Sequence, residues 1–155
     1  MTSRIIYHGS RQIVRTPEIR IGHYTKDFGP GFYCTDLKAQ AKRWAARFNT
    51  PGFISIFRHD ETQRLKKKLF PKMTNAWLDF IVACRLGIPH SYDLVEGPMA
   101  DDSIFNFVQE FADGNISRQA FWALAKFRYP THQISFHTSA ALGTLTYLTH
   151  ERLQP

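Results

Sequence analysis

Histidines, serines and cysteines are the residues of this sequence that could bind a metal or act as nucleophiles. Seven histidines and two cysteines are present, but no H-E-x-x-H or C-x-x-C spacing groups them around one metal ion. Ser10 follows Gly9 without a G-x-S-x-G elbow, and Cys34 stands alone before an amphipathic stretch. Neither residue has the neighbours that activate a nucleophile. The sequence therefore predicts no metal centre and gives little support to nucleophilic catalysis by serine or cysteine.

The triplet Asp27-Phe28-Gly29 matches the metal-binding DFG of protein kinases, but its context does not. A kinase carries a glycine-rich loop, a strand lysine and a catalytic-loop aspartate before that triplet. The 26 residues that precede Asp27 supply none of these. The G-x-x-x-x-G-K-[ST] and strand-linked G-x-G-x-x-G patterns are absent too, which excludes phosphate-loop and Rossmann folds.

The elements that must position any site follow one another without a regular strand–helix–strand rhythm. Apolar alternation predicts strands and helical apolar spacing predicts helices. The predicted strands are 4–8, 53–58, 67–70, 92–97 and 132–138, and the predicted helices are 36–49, 75–87, 100–114, 117–127 and 139–148. Residues 11–31 are rich in glycine and proline and are predicted to form a long loop, which in a compact domain is usually functional. The mixture predicts a single α+β domain over 1–155 with a mainly antiparallel or mixed sheet.

Three short segments hold the remaining polar and aromatic candidates: YHGS at a strand end, FGPGFY before a helix, and HQISFH on a late strand. In this order and spacing they resemble the catalytic core of the His-Tyr-Glu branch of ADP-ribosyltransferases, which includes poly(ADP-ribose) polymerases and diphtheria-toxin-like toxins. The chain is also similar to a bacterial domain family of unknown function with the pattern YHGS, DFGxGFY, QAxxWA, GPxADD and QISFHT, all present here. The resemblance covers essentially the full chain. It implies a split two-sheet core with an NAD cleft between the sheets and helices packed around it.

The same resemblance implies NAD as the substrate and assigns its contacts. Cleavage of the nicotinamide–ribose bond passes through an oxocarbenium-like state, so a protein must hold the nicotinamide and riboses and stabilise positive charge. By the resemblance, Tyr33 stacks on the nicotinamide, Gly9 offers backbone N–H and C=O to the carboxamide, and His8 hydrogen-bonds the adenosine ribose. Ser10 supports the nicotinamide ribose or amide. The remaining positions that the resemblance implies for cofactor binding are Arg11, Asp27, Gly31 and Phe32. Arg20 or Lys26 is a further implied partner of the pyrophosphate. The side chain of Phe32 is expected to face the core.

The pattern departs from the branch at the residue before ISFH. The branch presents a glutamate there, which orients the ribose 2′-hydroxyl and stabilises the oxocarbenium, whereas this chain has Gln133. Three interpretations stay open. Gln133 suffices for mono-ADP-ribosyl transfer, the charge comes from Asp101 or Asp102, or the domain binds NAD without catalysis. Helix capping also explains the aspartate pair. The residues implied to be catalytic are His8, Tyr33 and Gln133.

Charge and composition bear on partners and compartment. Twenty lysines and arginines against 13 acidic residues give a formal net charge of +7, which favours polyanionic partners, although solubility explains it equally well. No helix-turn-helix, KH or RNP signature supports a plain nucleic-acid-binding domain. Two cysteines in unrelated contexts, a short polar N-terminus and a longest apolar stretch that contains Asp79 and Arg85 predict a cytosolic protein without a membrane span.

Together with the resemblance, these features predict a cytoplasmic NAD-dependent mono-ADP-ribosyltransferase. We expect a bacterial toxin of a toxin–antitoxin or phage-defence pair that modifies a protein or a nucleic acid and has a cognate antitoxin. The alternative is a module of the same fold that binds NAD or ADP-ribose with weak or no transfer activity.

Overall fold

Two β-sheets meet at the first strand of the chain. A computed structural model describes residues 2–20, 26–46, 51–100, 102–125 and 131–154. The strands in these ranges are β1 (Ser3–Ser10), β2 (Phe32–Cys34), β3 (Phe53–Asp60), β4 (Lys67–Leu69), β5 (Leu94–Gly97), β6 (Gln133–Phe136) and β7 (Leu145–Arg152). The helices are α1 (Lys38–Ala45), α2 (Asn75–Arg85), α3 (Asp102–Ala112), α4 (Arg118–Leu124) and α5 (Ser139–Leu142). The predicted α+β class is confirmed.

The first sheet is antiparallel with the strand order β1-β3-β7, and the second has the order β2-β6-β5-β4. The second sheet is mixed because β4 and β5 run parallel. One bridge joins the two sheets: Tyr7 and Thr35 exchange both backbone hydrogen bonds, at 2.8 and 2.9 Å. Among the described residues the pairing of β1 with β2 goes no further, so the sheets separate beyond this bridge.

The strands β2, β5 and β6 of the second sheet are covered on both faces, and most of their residues are buried for that reason. Toward the first sheet, a buried cluster is formed by Ile6, Phe32, Cys34, Phe57, Leu94, Ile134, Phe136 and Ala141. Toward the helices, a second buried cluster includes Phe28, Phe70, Trp77, Leu78, Ile81, Val95, Ile104, Val108 and Phe121. Alternation along β2 sends Phe32 to the first cluster and Tyr33 to the second. None of the described helices has both the length and the apolar character of a membrane span.

The predicted helix 139–148 is wrong over its second half. The helix α5 ends at Leu142, and residues from Leu145 onward form β7, which pairs with β3. Thr138 starts the short helix by accepting a hydrogen bond from the N–H of Ala141 at 3.1 Å. The residues that follow Thr144 are rich in threonine, leucine and tyrosine and favour a strand once β3 offers a partner.

The stretch FGPGFY was expected to be a loop that runs directly into a helix, but its end forms β2. Phe32, Tyr33 and Cys34 pair antiparallel with Phe136, Ser135 and Ile134 of β6. A strand of three residues has too little periodicity to be recognised in sequence. Its pairing with a distant strand fixes it in the structure.

Candidate functional site

The YHGS segment carries β1 to the place where the two sheets separate. The Nδ1 atom of His8 lies 2.6 Å from the carbonyl oxygen of Tyr33, and the His8 ring stacks on Phe32 with centroids 4.4 Å apart. A carbonyl oxygen only accepts, so Nδ1 donates and Nε2 is the acceptor of the neutral ring. Burial lowers the pKa of His8 to about 4; the bond to Tyr33 opposes this effect and nearby Lys26 and Arg20 add to it. His8 is therefore neutral at pH 7 and offers Nε2 to a hydroxyl donor.

Gly9 lies between α1 and the free edge of β1. A Cβ atom at Gly9 would stand 2.1 Å from the carbonyl oxygen of Ala41 and 3.1 Å from the nitrogen of Ala45, so only glycine allows α1 to pack this closely. The backbone groups of Tyr7 point to Thr35 and away from β3. In an antiparallel ladder without a register shift, residues two apart point their backbone groups to the same side. The N–H and C=O of Gly9 therefore face the edge where the sheets separate.

The residues after Gly9 close a turn and return the chain to β2. The hydroxyl of Ser10 donates to the carbonyl oxygen of Gln12 at 2.6 Å, so this hydroxyl serves the turn. Arg11 is exposed just after the strand. Farther along, Arg20 pairs with Gly31 in an isolated antiparallel bridge. The described part of the loop thus carries basic residues past the end of β1 and back beside β2.

The side chain of Tyr33 folds back onto its own turn. Its hydroxyl accepts from the N–H of Phe28 at 3.1 Å and donates to the carbonyl oxygen of Gly29 at 2.5 Å. Gly29 has φ of +87°, a conformation that residues with side chains rarely adopt. Burial and the Asp27 carboxylate raise the pKa of Tyr33, so the phenol stays protonated. The Nζ atom of Lys26 lies 5.8 Å from the ring centroid, which is a cation–π distance.

Two histidines for which the sequence predicts no role, His90 and His137, hold the same turn from outside. The Nε2 atom of His90 lies 2.8 Å from the carbonyl oxygen of Phe28, and Nδ1 of His137 lies 2.7 Å from that of Pro30. A Cβ atom on Gly31 would stand 2.9 Å from His137 Nδ1, so glycine permits the contact. Each histidine contacts a backbone carbonyl oxygen of the turn and not a shared metal ion. The metal-ligand spacing rules applied to the sequence therefore do not reveal them.

Gln133 is the first residue of β6 and is only 3% exposed. Because Tyr33 pairs with Ser135, Gln133 lies two residues along the neighbouring strand, on the same face of the sheet as Tyr33. Its Nε2 atom lies 3.2 Å from Oδ2 of Asp27 and 3.4 Å from the carbonyl oxygen of Pro98. Both partners are acceptors, so the amide nitrogen must face them. The carbonyl oxygen of Gln133 is then the group that can receive a hydrogen bond from a ligand.

Asp27 is a buried carboxylate with both oxygens engaged. Arg85 donates to Oδ1 at 2.7 Å, and the N–H of Ala100 donates to Oδ2 at 2.8 Å, beside the contact with Gln133. Arg85 is buried in turn and its guanidinium stands 4.0 Å from the centroid of the Phe105 ring. Asp27 therefore lies beside Gln133 and links the turn, α2 and β6. The cofactor contact that the resemblance implies for Asp27 stays a prediction.

The structure brings the three predicted catalytic residues onto adjacent strands. His8 on β1 contacts the backbone of Tyr33 on β2, and β2 pairs with β6, which begins at Gln133. Phe32 is 5% exposed and lies in the cluster between the sheets, as expected for a core residue.

The acidic pair suggested as assistance is only partly described. Asp101 lies outside the described residues, and Asp102 is placed as the first residue of α3. No group of three or more histidine, cysteine or acidic side chains suited to a metal ion is found in the described part of the chain.

At the other end of β1, a group of charged side chains ties the two sheets together; we call Arg4, Asp36, Glu96 and His132 the Arg4 cluster. Arg4 donates to both carboxylate oxygens of Glu96, at 3.0 and 2.7 Å. The ring nitrogens of His132 lie 2.8 Å from Glu96 and 2.9 Å from Asp36. Burial acts to raise the pKa of Glu96, but hydrogen bonds from His132 and Arg4 lower it to about 2. A cavity of about 550 Å³ at this end is lined by Thr2, Glu61, Thr62, Gln63 and Lys67, none of which is a predicted site residue.

Fold and site together describe an α+β protein with two sheets and a polar site at their junction. The chain belongs to DUF3990, a family described as protein of unknown function, whose model matches residues 4–147. That range includes His8, Tyr33 and Gln133. No curated protein matches the chain.

Proposed function

We propose that this protein is an NAD-dependent mono-ADP-ribosyltransferase whose cofactor lies where the two sheets separate. The observation that carries the proposal is the placement of His8, Tyr33 and Gln133 on the adjacent strands β1, β2 and β6. These residues are far apart in sequence and come from the three segments that resemble the transferase core. A split two-sheet architecture supports the same assignment, because among the described residues β1 has no strand partner on this side beyond the Tyr7–Thr35 bridge.

The proposed reaction exchanges one bond to the ribose. The bond between the ribose C1 carbon and the nicotinamide nitrogen breaks, and nicotinamide leaves with the electron pair. The oxocarbenium-like carbon is then attacked by an acceptor nucleophile, which loses a proton as the new bond forms. With water as acceptor, the same step yields free ADP-ribose. The protein's task is to orient the dinucleotide and to place electron-rich groups near the positive carbon.

Gly9 and His8 suit two ends of the dinucleotide. The N–H and C=O of Gly9 face the free edge of β1, where a primary carboxamide can pair with both at once. His8 is neutral and has Nε2 as an acceptor, which matches a ribose hydroxyl donor. A charged imidazolium would have no acceptor to offer, so the lowered pKa supports this role.

The Tyr33 ring and its basic neighbours suit the charged parts of NAD. The ring already accepts a cation, because Lys26 Nζ lies 5.8 Å from its centroid. The cationic nicotinamide ring would make the same kind of contact with greater area. Arg20 and Lys26 contribute positive charge near His8 and add to the lowering of its pKa, which supports a role for them as partners of the pyrophosphate.

The acceptor and the biological role are proposed on the basis of charge and resemblance. A formal net charge of +7 favours a polyanionic acceptor such as nucleic acid, with an acidic protein surface as the other choice. We propose a cytoplasmic bacterial toxin of a toxin–antitoxin or phage-defence pair, controlled by a cognate antitoxin.

A second function is favoured by the amide at position 133. Gln133 lacks the negative charge that a glutamate would place beside the oxocarbenium. The alternative is therefore a domain that binds NAD or ADP-ribose without transfer. Calorimetry with NAD separates the two functions when combined with chromatography of free nicotinamide, because only a transferase or hydrolase releases it.

The test is incubation of the purified protein with cell extract and NAD labelled in its adenylate part. Label should enter macromolecules, and subsequent digestion with protease or nuclease should show which class carries it. Tyr33→Ala and His8→Ala should each lower labelling at least tenfold while retaining a cooperative melting transition. His150→Ala is the matched control, since His150 lies on β7, outside the proposed site.

Two results would contradict the proposal. One is the absence of label and of free nicotinamide with the wild-type protein. The other is equal labelling by wild type and by a folded Tyr33→Ala variant. Tight NAD binding without nicotinamide release would instead establish the binding module.

A further inference from the structure

We propose that Asp27, held by Arg85, positions Gln133 and polarises its amide, so that the carbonyl oxygen of Gln133 acts in place of a glutamate. The inference rests on the proposed function, because it concerns the group that faces the ribose in that reaction. Asp27 is assigned as a positioning residue and makes no contact with NAD in this proposal.

The geometry fixes which way the Gln133 amide points. Its nitrogen has two acceptors, the Asp27 carboxylate at 3.2 Å and the Pro98 carbonyl at 3.4 Å. Rotation of the amide by half a turn would place its oxygen against both acceptors and lose both hydrogen bonds. A glutamine side chain that is 3% exposed is thus held in a single orientation by its surroundings.

The charge on Asp27 affects the far end of the same amide. A hydrogen bond to a carboxylate is stronger than one to a neutral acceptor and draws the amide toward the form with more negative charge on oxygen. Asp27 is 8% exposed, so water screens this effect weakly. The carbonyl oxygen of Gln133 becomes a better acceptor for the ribose 2′-hydroxyl and a better electrostatic partner for the oxocarbenium.

Arg85 makes the buried carboxylate possible. Its guanidinium lies 2.7 Å from Oδ1 of Asp27, and the Arg85 side chain is itself 3% exposed. An unpaired carboxylate at this depth would carry an uncompensated cost of desolvation, so Arg85 stabilises the charge on which the polarisation depends. Because Arg85 bonds to one oxygen and Gln133 to the other, the ion pair leaves Oδ2 available to the amide.

The arrangement makes an unexpected prediction for the substitution that restores the glutamate of the resembling enzymes. Gln133→Glu would place a second carboxylate about where the amide nitrogen lies, 3.2 Å from Asp27. Two carboxylates so close cannot both stay ionised without strain. The single variant should therefore lose activity, and Asp27→Asn should rescue it, since the pair then exchanges its carboxylate and amide.

The experiment measures nicotinamide release at varied NAD, together with thermal melting, for wild type, Asp27→Asn, Gln133→Glu and the double variant. Asp27→Asn should lower kcat on the order of tenfold, by analogy with removal of the hydrogen-bond partner of a metal ligand, and change KM by less than about twofold. Gln133→Glu should lower both kcat and Tm, and the double variant should recover both. Asp79→Asn is the matched control, because Asp79 forms an exposed ion pair with Arg118.

A further variant covers the case in which Asp27→Asn does not fold because Arg85 is left without a partner. Asp27→Asn with Arg85→Gln removes both charges, keeps hydrogen-bonding amides and should show the same loss of kcat. A folded Asp27→Asn with wild-type kcat would overturn the inference while leaving the transferase intact. So would a Gln133→Glu variant that is faster than wild type with unchanged Tm. A wild-type protein that releases no nicotinamide overturns the proposed function, and this inference with it.

Discussion

The two ends of β1 differ in the kind of side chain they carry: charged groups at the Arg4 end and a neutral imidazole with a glycine at the His8 end. At the Arg4 end, charged groups pair across the sheets, with Arg4 bound to Glu96 through two hydrogen bonds. At the His8 end, a neutral imidazole stacks on Phe32 and a glycine directs its backbone groups toward the edge. One end is held by ion pairs, whereas at the other end the backbone groups of Gly9 have no strand partner among the described residues, beside a partly buried His8.

The difference shows how two sheets can be held together at one end of β1 while they separate at the other end. Arg4 belongs to the first sheet and Glu96 to the second, so their ion pair fixes the distance between the sheets at one end. The Tyr7–Thr35 bridge fixes it again in the middle of β1. Because these two contacts already hold the sheets together, the His8 end of β1 needs no further contact between the sheets and can form the proposed NAD site.

The largest expected change in the free energy of unfolding is that caused by acid, which acts on groups at both ends of β1. Burial lowers the pKa of His8, His59 and His137 from 6.5 to about 4. The unfolded chain therefore binds more protons than the folded protein in this range, and the free energy of unfolding should fall as pH falls from about 6.5 to about 4. Glu96, with a pKa lowered from 4.5 to about 2, extends the loss to lower pH.

Urea midpoints measured between about pH 7 and 4 check this prediction. His59→Gln is the comparison variant. In the wild type, Nε of Arg4 donates to Nδ1 of His59 at 3.2 Å. Glutamine keeps a hydrogen-bond acceptor for Arg4 but does not titrate. The variant should lose less stability on acidification than wild type. A urea midpoint that does not move over this range would contradict the assignment of buried neutral histidines.

Among single substitutions, removal of the Glu96 carboxylate should lower the free energy of unfolding most, because it breaks the ion pair between the sheets at the Arg4 end of β1. Glu96→Ala leaves Arg4 and His132 without their shared carboxylate. We expect a loss of about 3 kcal/mol in the free energy of unfolding, near the low end for a broken buried ion pair because both partners keep some exposure. Glu61→Gln is the control, since Glu61 also contacts Arg4 but is more exposed, and should change stability by less than about 1 kcal/mol. Equal losses of unfolding free energy for Glu96→Ala and Glu61→Gln in urea titrations would show that the Arg4 cluster does not hold the two sheets together.

The next effect concerns the open end and the helix packed on it. Gly9→Ala would drive a methyl group to 2.1 Å from the Ala41 carbonyl oxygen, so α1 or β1 must move. We expect about 2 kcal/mol of destabilisation, typical of overpacking. Gly143→Ala should be nearly neutral, since its added Cβ would meet its nearest neighbour at 3.4 Å. Thermal denaturation of the two variants gives the comparison, and a neutral Gly9→Ala would mean that α1 packs less closely than described.

The smallest effect should come from the phenol of Tyr33. Tyr33→Phe removes the hydrogen bonds to Phe28 and Gly29 but keeps the ring, so we expect a loss of about 1 kcal/mol in unfolding free energy. Tyr92→Phe is the control, because among the described residues its hydroxyl has no hydrogen-bond partner. Nicotinamide release by Tyr33→Phe should stay closer to wild type than that by Tyr33→Ala. A larger loss for Tyr92→Phe in urea titrations would contradict the role given to the Tyr33 hydroxyl.

The sequence offered candidate site residues, which stay predictions, but it missed two of the strands near them. The segments with His8 and Gln133 were recognised because their strands show clear apolar runs and their residues resemble a known core. By contrast, β2 is three residues long and β7 follows a short helix, so local periodicity fails for both. His90 and His137 were missed for a related reason, since their partners are backbone carbonyls of Phe28 and Pro30, which have no sequence signature.

The sequence by itself determined the α+β class, a candidate set centred on His8, Tyr33 and Gln133, and the absence of a carboxylate at position 133. Periodicity, residue type and order along the chain carry this information, because all three are local properties. Only the tertiary structure decided that Asp27 stands behind Gln133 with Arg85, and that Arg4 ties β1 to Glu96. Buried charges must find partners wherever the fold brings them, and those partners come from distant parts of the chain.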